Sequence, residues 1–243
     1  MICIDNPYTD AYFNLAAEEY LLEQFPSDVF MLWQNDSSVI VGKHQNVELE
    51  VNLAYARENH IKVVRRHSGG GTVYHDGGNV NLTFIEHTSQ PDFGKFTGRM
   101  LGILASLGIK AYEDERHTLY IDGLKISGCA QFIRKDNVLF HATLLFSSDL
   151  TTLAATLDSL QVGPDARLQT KKKHYVPSVK SPVTNICTYL PKPMTLAEFK
   201  QHILRDFLKS SADSSYVFNS KDLMAIEKLR KEKYLTNDWN FQA

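Results

Sequence analysis

Thr118-Leu119-Tyr120-Ile121-Asp122-Gly123-Leu124-Lys125-Ile126-Ser127 sets an Asp-Gly pair between two short apolar runs. Asp-Gly marks a two-residue type I′ hairpin turn, because both central residues there take positive φ. Such a turn pairs Ile121 with Leu124 and Tyr120 with Lys125, and cross-strand partners share a face. Lys125 is therefore expected beside Tyr120. A second hairpin is expected from residues 130–134 and 138–146, turning at Lys135-Asp136-Asn137. Two successive hairpins make the middle of the chain antiparallel.

The pattern extends outward from this centre. Leu15, Leu21, Leu22 and Phe25 share a helical face within residues 10–25, with Asp10 as the N-cap. Residues 29–33 and 39–42, broken at Asn35-Asp36-Ser37-Ser38, read as a strand hairpin. Residues 53–59 suit a short helix, and 61–65 a strand entering a glycine cluster. Residues 72–74 and 79–85 read as strands on either side of Gly77-Gly78. Residues 95–107 read as a helix, although Gly98 and Gly102 each cost about 1 kcal/mol relative to Ala. Further helices are expected at 150–157, 196–208 and 221–231, and a long polar loop at 161–182 that contains Lys171-Lys172-Lys173. Strands come first and helices follow, so the expected class is α+β, a mixed or antiparallel sheet flanked by helices.

Composition narrows the function. The 243 residues include 26 Lys+Arg and 28 Asp+Glu, a formal net charge of −2, so there is no broad electrostatic case for a nucleic-acid partner. A content of 43% hydrophobic and 22% charged residues excludes a disordered chain. No run approaches the roughly 18 apolar residues of a membrane span, and the start MICIDNPYTD lacks a signal-peptide pattern. Cys3, Cys129 and Cys187 are too few for a disulfide scaffold and lack zinc-ligand spacing. The expectation is one cytoplasmic domain over residues 1–243, with neither membrane nor nucleic acid as partner.

Four features could carry chemistry. Arg65-Arg66-His67-Ser68-Gly69-Gly70-Gly71-Thr72-Val73-Tyr74-His75-Asp76-Gly77-Gly78-Asn79-Val80-Asn81 is a glycine-rich loop. Consecutive glycines let backbone N–H groups approach an anion, and Arg66 could grip a phosphate or carboxylate with both arms. A strand rather than a helix follows, and no Gly-Lys-Ser/Thr is present, so it is neither a Rossmann turn nor a P-loop. By itself it could equally be a tight turn with a solvated basic flank. Lys125 could be a desolvated cation aimed at one ligand atom, or an edge-strand lysine facing water. His141, within an apolar run, fits a core histidine with a satisfied hydrogen bond. Cys129 is either a thiolate nucleophile activated by a cation or a small buried strand residue.

The glycine-rich loop resembles the RRxSGGGxVxHDxGN signature of lipoate–protein ligases. Asp122-Gly123-Leu124-Lys125-Ile126-Ser127-Gly128 resembles their DGRKVSGSA block, which carries the catalytic lysine. Phe140-His141-Ala142-Thr143-Leu144-Leu145 is similar to their HHGTLL block, and Ser178-Val179-Lys180-Ser181-Pro182-Val183-Thr184-Asn185 to SVRSRVTN. Asn14-Leu15-Ala16-Ala17-Glu18-Glu19, Trp33-Gln34-Asn35 and Asp238-Trp239-Asn240-Phe241 match as well. The blocks stand in order along nearly the whole chain.

The resemblance implies a class-II-synthetase-like domain of the biotin/lipoate ligase type. It implies that lipoate and MgATP give lipoyl-adenylate, and that the lipoyl group passes to a lysine of a lipoyl domain, of an E2 subunit or an H protein. It makes Lys125 the catalytic residue. It puts Arg66, Ser68, Gly69, Gly70, Gly71, His75, Asn79, His141, Thr143 and Val179 around the substrate or adenylate, with the lysine-rich loop before Val179 covering it. His117 and Thr118 stand where the family has an Asn-Asp pair, which leaves the metal ligands unassigned. The chain stops where the family's large domain ends, so a small C-terminal accessory domain is expected to be absent, its place open to a separate small chain. Two other readings stay open: an octanoyl or lipoyl carrier acyltransferase working through Cys129, and a lipoate-binding protein without catalysis.

Overall fold

The computed structural model describes residues 1–158, 176–209 and 214–241. Its main sheet is built from β1 (Ile2–Asp5), β2 (Val29–Trp33), β6 (Asn79–His87), β10 (Cys129–Arg134), β11 (Asn137–Leu145) and β12 (Ser214–Ser215), in the order β10-β11-β6-β2-β1-β12. The four strands from β10 to β2 are antiparallel, and β2, β1 and β12 run parallel. A second sheet, β4-β3-β5, joins β3 (Ser38–Val41), β4 (Lys62–Arg65) and β5 (Val73–His75). The third is small: β7 (Tyr112–Glu113), β8 (Leu119–Ile121) and β9 (Leu124–Lys125). The fold is thus a set of mixed sheets flanked by helices. Among the described residues no helix is long and apolar enough to cross a membrane.

Alternation along β6 divides the interior. Val80, Leu82 and Phe84 point into one core, where α4 (Gly94–Ser106) contributes Met100 and Leu104, and α6 (Leu196–Phe207) contributes Phe199 and Phe207. Phe207 stacks on Phe30 at 3.7 Å between ring centres. The opposite face of β6 carries Asn81, Thr83 and Ile85. Helix α1 (Ala11–Gln24) packs there, buried from Ala11 to Leu22 on nearly every side, including Glu18 and Glu19. It has no solvent face because it lies beneath both larger sheets and against α7 (Ser220–Leu229). A polar sheet face above a buried helix that carries two acidic residues is where the site forms.

The Asp-Gly hairpin has the expected register, Tyr120 opposite Lys125 and Ile121 opposite Leu124. Asp122 and Gly123 take φ of 47° and 79°, as a type I′ turn requires. The second hairpin turns on Lys135-Asp136 alone, because Asn137 already pairs with Arg134. Residues 29–42 are not a hairpin: β2 belongs to the main sheet and β3 to the second. Both strands are fully buried, so each needs neighbours of its own. The connection is tied to the start of α1, with Asp36 N–H donating to Thr9 O and Asn14 Nδ2 donating to Gln34 O and Asn35 Oδ1. Asp10 takes the N-cap position, but its carboxylate makes no cap bond and pairs with Lys62 and Arg230 instead. Of the expected loop at 161–182, only residues 176–182 are among the described residues, and Lys171–Lys173 lie outside them.

Candidate active site

The glycine-rich loop runs from β4 to β5 and is held from behind. Arg65 is fully buried, and its guanidinium donates to the carbonyls of Gly42 (2.9 Å), Gln45 (2.8 Å) and Trp239 (3.1 Å). Its backbone N–H donates to Asn240 Oδ1, and its carbonyl accepts from Trp239 Nε1. Helix α8 (Asn237–Asn240), near the end of the chain, is thereby bolted to β4. Arg66 is 4% exposed and draws the loop around itself: Nη2 donates to the carbonyls of Gly69 (2.5 Å) and Gly71 (2.8 Å), Nη1 to Ile40 O, and Nε to Ser68 Oγ. Burial brings its pKa down to about 10, so it stays charged at neutral pH. Gly70 has φ +86°, and a Cβ there would meet Arg66 Nη2 at 2.8 Å.

Lys125 lies at the end of β9. Its N–H donates to Pro182 O, and its carbonyl accepts from Thr184 N–H. The segment after the lysine-rich stretch is thus laced to the hairpin, with Val183 in a parallel bridge to Lys125. Among the described residues no hydrogen bond or ion pair engages Lys125 Nζ, and burial holds its pKa below the ordinary lysine value. Cys129 Sγ donates to the carbonyls of Arg116 and His117. Burial pushes this thiol up to about 11, outweighing the nearby Lys125 charge.

The floor is the polar face of the main sheet. His141 Nδ1 pairs with Glu18 Oε1 at 3.0 Å and Nε2 with Ser68 Oγ at 2.9 Å. Glu18 also accepts from Thr83 Oγ1, which accepts from Trp33 Nε1. His75 is 3% exposed, and its Nδ1 accepts from Asn35 Nδ2. Burial, with Arg66 and His141 nearby, lowers its pKa to about 3, so the ring is neutral with its proton on Nε2. Asn79 Nδ2 donates to Asn81 Oδ1 at 2.8 Å. Residues 176–181 cross the top: Ser178 Oγ accepts from Thr72 N–H, and Ser178 N–H donates to Glu50 Oε1.

These parts enclose a cavity of about 320 Å³, within the usual size for a small-molecule site. Arg66, Gly70, Gly71, His75, Lys125, His141, Thr143 and Val179 of the expected residues line it. Ser68 and Gly69 sit behind the wall as partners of Arg66. Asn79, fully buried, stands behind Asn81, which lines the cavity in its place. Thr118 lines the cavity; His117 does not, and takes a left-handed φ of 60°. Trp33, Asn81, Tyr120 and Ser178, which stand in the segments quoted from the sequence, line it too, and Asp114 and Arg116 line it without having been singled out. Asn81 carried a further signal, being two residues from Asn79 and so on the same strand face. Leu15, Ile40 and Val73 give apolar wall, and Arg66, Lys125, Gly70 and Gly71 line the same cavity. Such a cavity suits a molecule with an apolar tail and an anionic head.

Comparisons agree with that chemistry. Residues 10–208 match the family described as lipoyl protein ligase A/B catalytic domain. The chain is 38% identical to lipoate-protein ligase LplJ of Bacillus subtilis over 250 residues, covering 99% of this chain and 73% of the relative. It is 38% identical to lipoate–protein ligase 1 of Staphylococcus aureus over 242 residues, covering 98% and 72%. Among solved structures, a bi-partite lipoate protein ligase of Thermoplasma acidophilum, studied with its E2 lipoyl domain, superposes with a TM-score of 0.80 at 26% identity, covering 99% of this chain and 95% of the other.

Proposed function

The chain belongs to the lipoyl protein ligase A/B catalytic-domain family and is a lipoate–protein ligase, and from that premise we propose which of its residues perform each step. The lipoate carboxylate attacks the α-phosphorus of ATP, the bond to pyrophosphate breaks, and lipoyl-adenylate forms. The amine of an acceptor lysine on a lipoyl domain then attacks the acyl carbonyl. The C–O bond to AMP breaks, AMP leaves with the electron pair, and the amine proton goes to water. E2 subunits of 2-oxoacid dehydrogenases and H proteins are the proposed acceptors.

The observation that carries this division of labour is that Lys125 shares one cavity with Gly70, Gly71 and an apolar wall. Lys125, uncommitted to any described residue, supplies its ammonium to the oxygens between acyl and phosphoryl groups, where charge develops in both steps. Gly70 and Gly71 offer backbone N–H groups to the phosphate. Arg66 holds the carbonyls of Gly69 and Gly71 turned away, so it acts on the ligand mainly through the loop. His75 contributes a neutral Nε2–H. Leu15, Ile40 and Val73 take the acyl chain.

Mg²⁺ belongs to the substrate on this reading. Asp114 is the one acidic residue among those lining the cavity, and its oxygens already accept from Arg116 N–H, Thr118 N–H and Tyr120 O–H. No group of three or more potential ligands occurs among the described residues. That donor set does not fit a resident ion. It is compatible with Mg²⁺ arriving on the ATP phosphates.

The acyltransferase alternative needs a thiolate at Cys129, and a thiol near pKa 11 opposes it. Mass spectrometry of an apo lipoyl domain tests the whole reading. A lipoyl mass gain that requires both ATP and lipoate is expected. A gain from an acyl-carrier donor without ATP would establish the transferase, and no gain from either would leave only binding. Adding a separate small accessory chain, as the bi-partite archaeal ligase suggests, would then ask whether adenylation accelerates.

A further inference from the structure

On the reading that the cavity holds lipoyl-adenylate with its acyl carbonyl at Lys125, we propose that Asn81 is a second hydrogen-bond donor to that carbonyl oxygen, aimed by Asn79. Asn81 is 1% exposed and lines the cavity, and its Nδ2 has no partner among the described residues. A buried donor left unmet is costly and calls for a ligand atom.

One bond orients the amide. Asn81 Oδ1 accepts from Asn79 Nδ2 at 2.8 Å, which leaves the Asn81 NH₂ for the cavity. Asn79 itself is fully buried and out of reach of any ligand.

Register puts Asn81 level with the reacting end. It lies opposite Thr143 on β11. Thr143 Oγ1 and the Lys125 Cε both approach the Cβ position that Gly128 leaves open, at 3.7 and 3.8 Å. The lysine stem and Thr143 therefore border the same small space beside Gly128, and Thr143 stands one interstrand spacing, about 4.8 Å, from Asn81. When the acceptor amine forms its N–C bond, negative charge collects on the acyl oxygen until the C–O bond to AMP breaks. An ammonium from β9 and an amide N–H from β6 both answer that charge. Asn81 is then a catalytic residue and Asn79 a positioning residue.

The test is single-turnover transfer from preformed lipoyl-adenylate to an apo lipoyl domain. Asn81→Ala should slow transfer on the order of 10²-fold, with KM for the lipoyl domain changed less than about threefold. Asn79→Asp should slow it comparably, because a carboxylate at 79 can only accept and turns the Asn81 oxygen into the cavity. The double variant should be no slower than Asn81→Ala alone. If Asn79→Asp fails to fold by circular dichroism, Asn81→Asp replaces it, and a comparable loss is expected. Wild-type transfer by Asn81→Ala would overturn the proposal, as would full activity of Asn79→Asp or additive effects in the pair. Failure of the wild type itself to transfer would instead remove the ligase reading on which the proposal rests.

Discussion

Gln45 Nε2 donates to Ser178 Oγ at 3.0 Å, joining residues 133 positions apart across the cavity roof. The same amide donates to Val176 O and accepts from Gly42 N–H and Thr72 Oγ1. Ser178 Oγ accepts in turn from Thr72 N–H at 2.8 Å. One buried side chain therefore holds the glycine-rich loop to the segment that crosses it. Gln45→Ala should weaken lipoyl-adenylate binding by about tenfold, the equivalent of roughly one or two net hydrogen bonds. Calorimetry with a non-hydrolysable adenylate analogue measures this, and unchanged affinity would show that the roof does not depend on the link.

Lys125→Ala should lower lipoyl transfer on the order of 10²-fold or more, as expected for loss of one preorganised charge at the reacting oxygen. The fold should persist, since the Lys125 contacts to Pro182 and Thr184 are made by backbone. Turnover by mass spectrometry and the melting temperature check both halves.

The three loop glycines should not be equivalent. A Cβ on Gly70 meets Arg66 Nη2 and Ala130, at a φ that L-residues avoid, and one on Gly71 meets Ser178 Oγ at 3.0 Å. A Cβ on Gly69 meets nothing within 4 Å. Gly70→Val and Gly70→Ala should therefore weaken adenylate binding and lower the melting temperature much more than Gly69→Ala. Equal effects at 69 and 70 would contradict the loop conformation.

In its proposed role Lys125 must be protonated to stabilise charge, and burial lowers its pKa from the ordinary 10.5. The charged form is lost as pH rises through that depressed value. Pyrophosphate release with ATP and lipoate, a half-reaction free of the acceptor lysine, should show an alkaline limb below pH 10.5. In Lys125→Arg the guanidinium stays charged, so whatever activity remains should lack that limb. A limb retained by the arginine variant would assign it to another group.

Cys129→Ser should keep ATP-dependent activity, and Cys129 in the wild type should resist iodoacetamide at pH 8. The thiol near pKa 11 is the reason for both. An acyl-thioester at Cys129, detected by mass spectrometry, would revive the transferase alternative.

Features governed by neighbours in sequence were legible without coordinates. Asp122-Gly123 alone dictated a type I′ turn, and with it the pairing of Lys125 with Tyr120. The glycine cluster announced a close backbone approach, and the order of strands before helices announced an α+β chain. The split of residues 29–42 between two sheets was not legible. Fully buried strands have no alternation to reveal their partners, and the deciding bonds run to Thr9 and Asn14.

Within the site, residue types were readable but their directions were not. Arg66 looked like a ligand clamp, yet burial turns its donors onto the carbonyls of Gly69 and Gly71. Asn79 stood in the motif, yet strand register and one side-chain bond put Asn81 at the cavity. Cys129 was open to two readings, activated nucleophile or small buried strand residue, and burial that outweighs the cation beside it favours the second. Gln45 and Ser178, 133 residues apart, meet only after three sheets have closed around the loop. Local backbone preference is written into adjacent residues. Desolvation and the aim of a side chain arise only when distant segments pack together, so tertiary structure alone decided which of these groups face the cavity and which hold others in place.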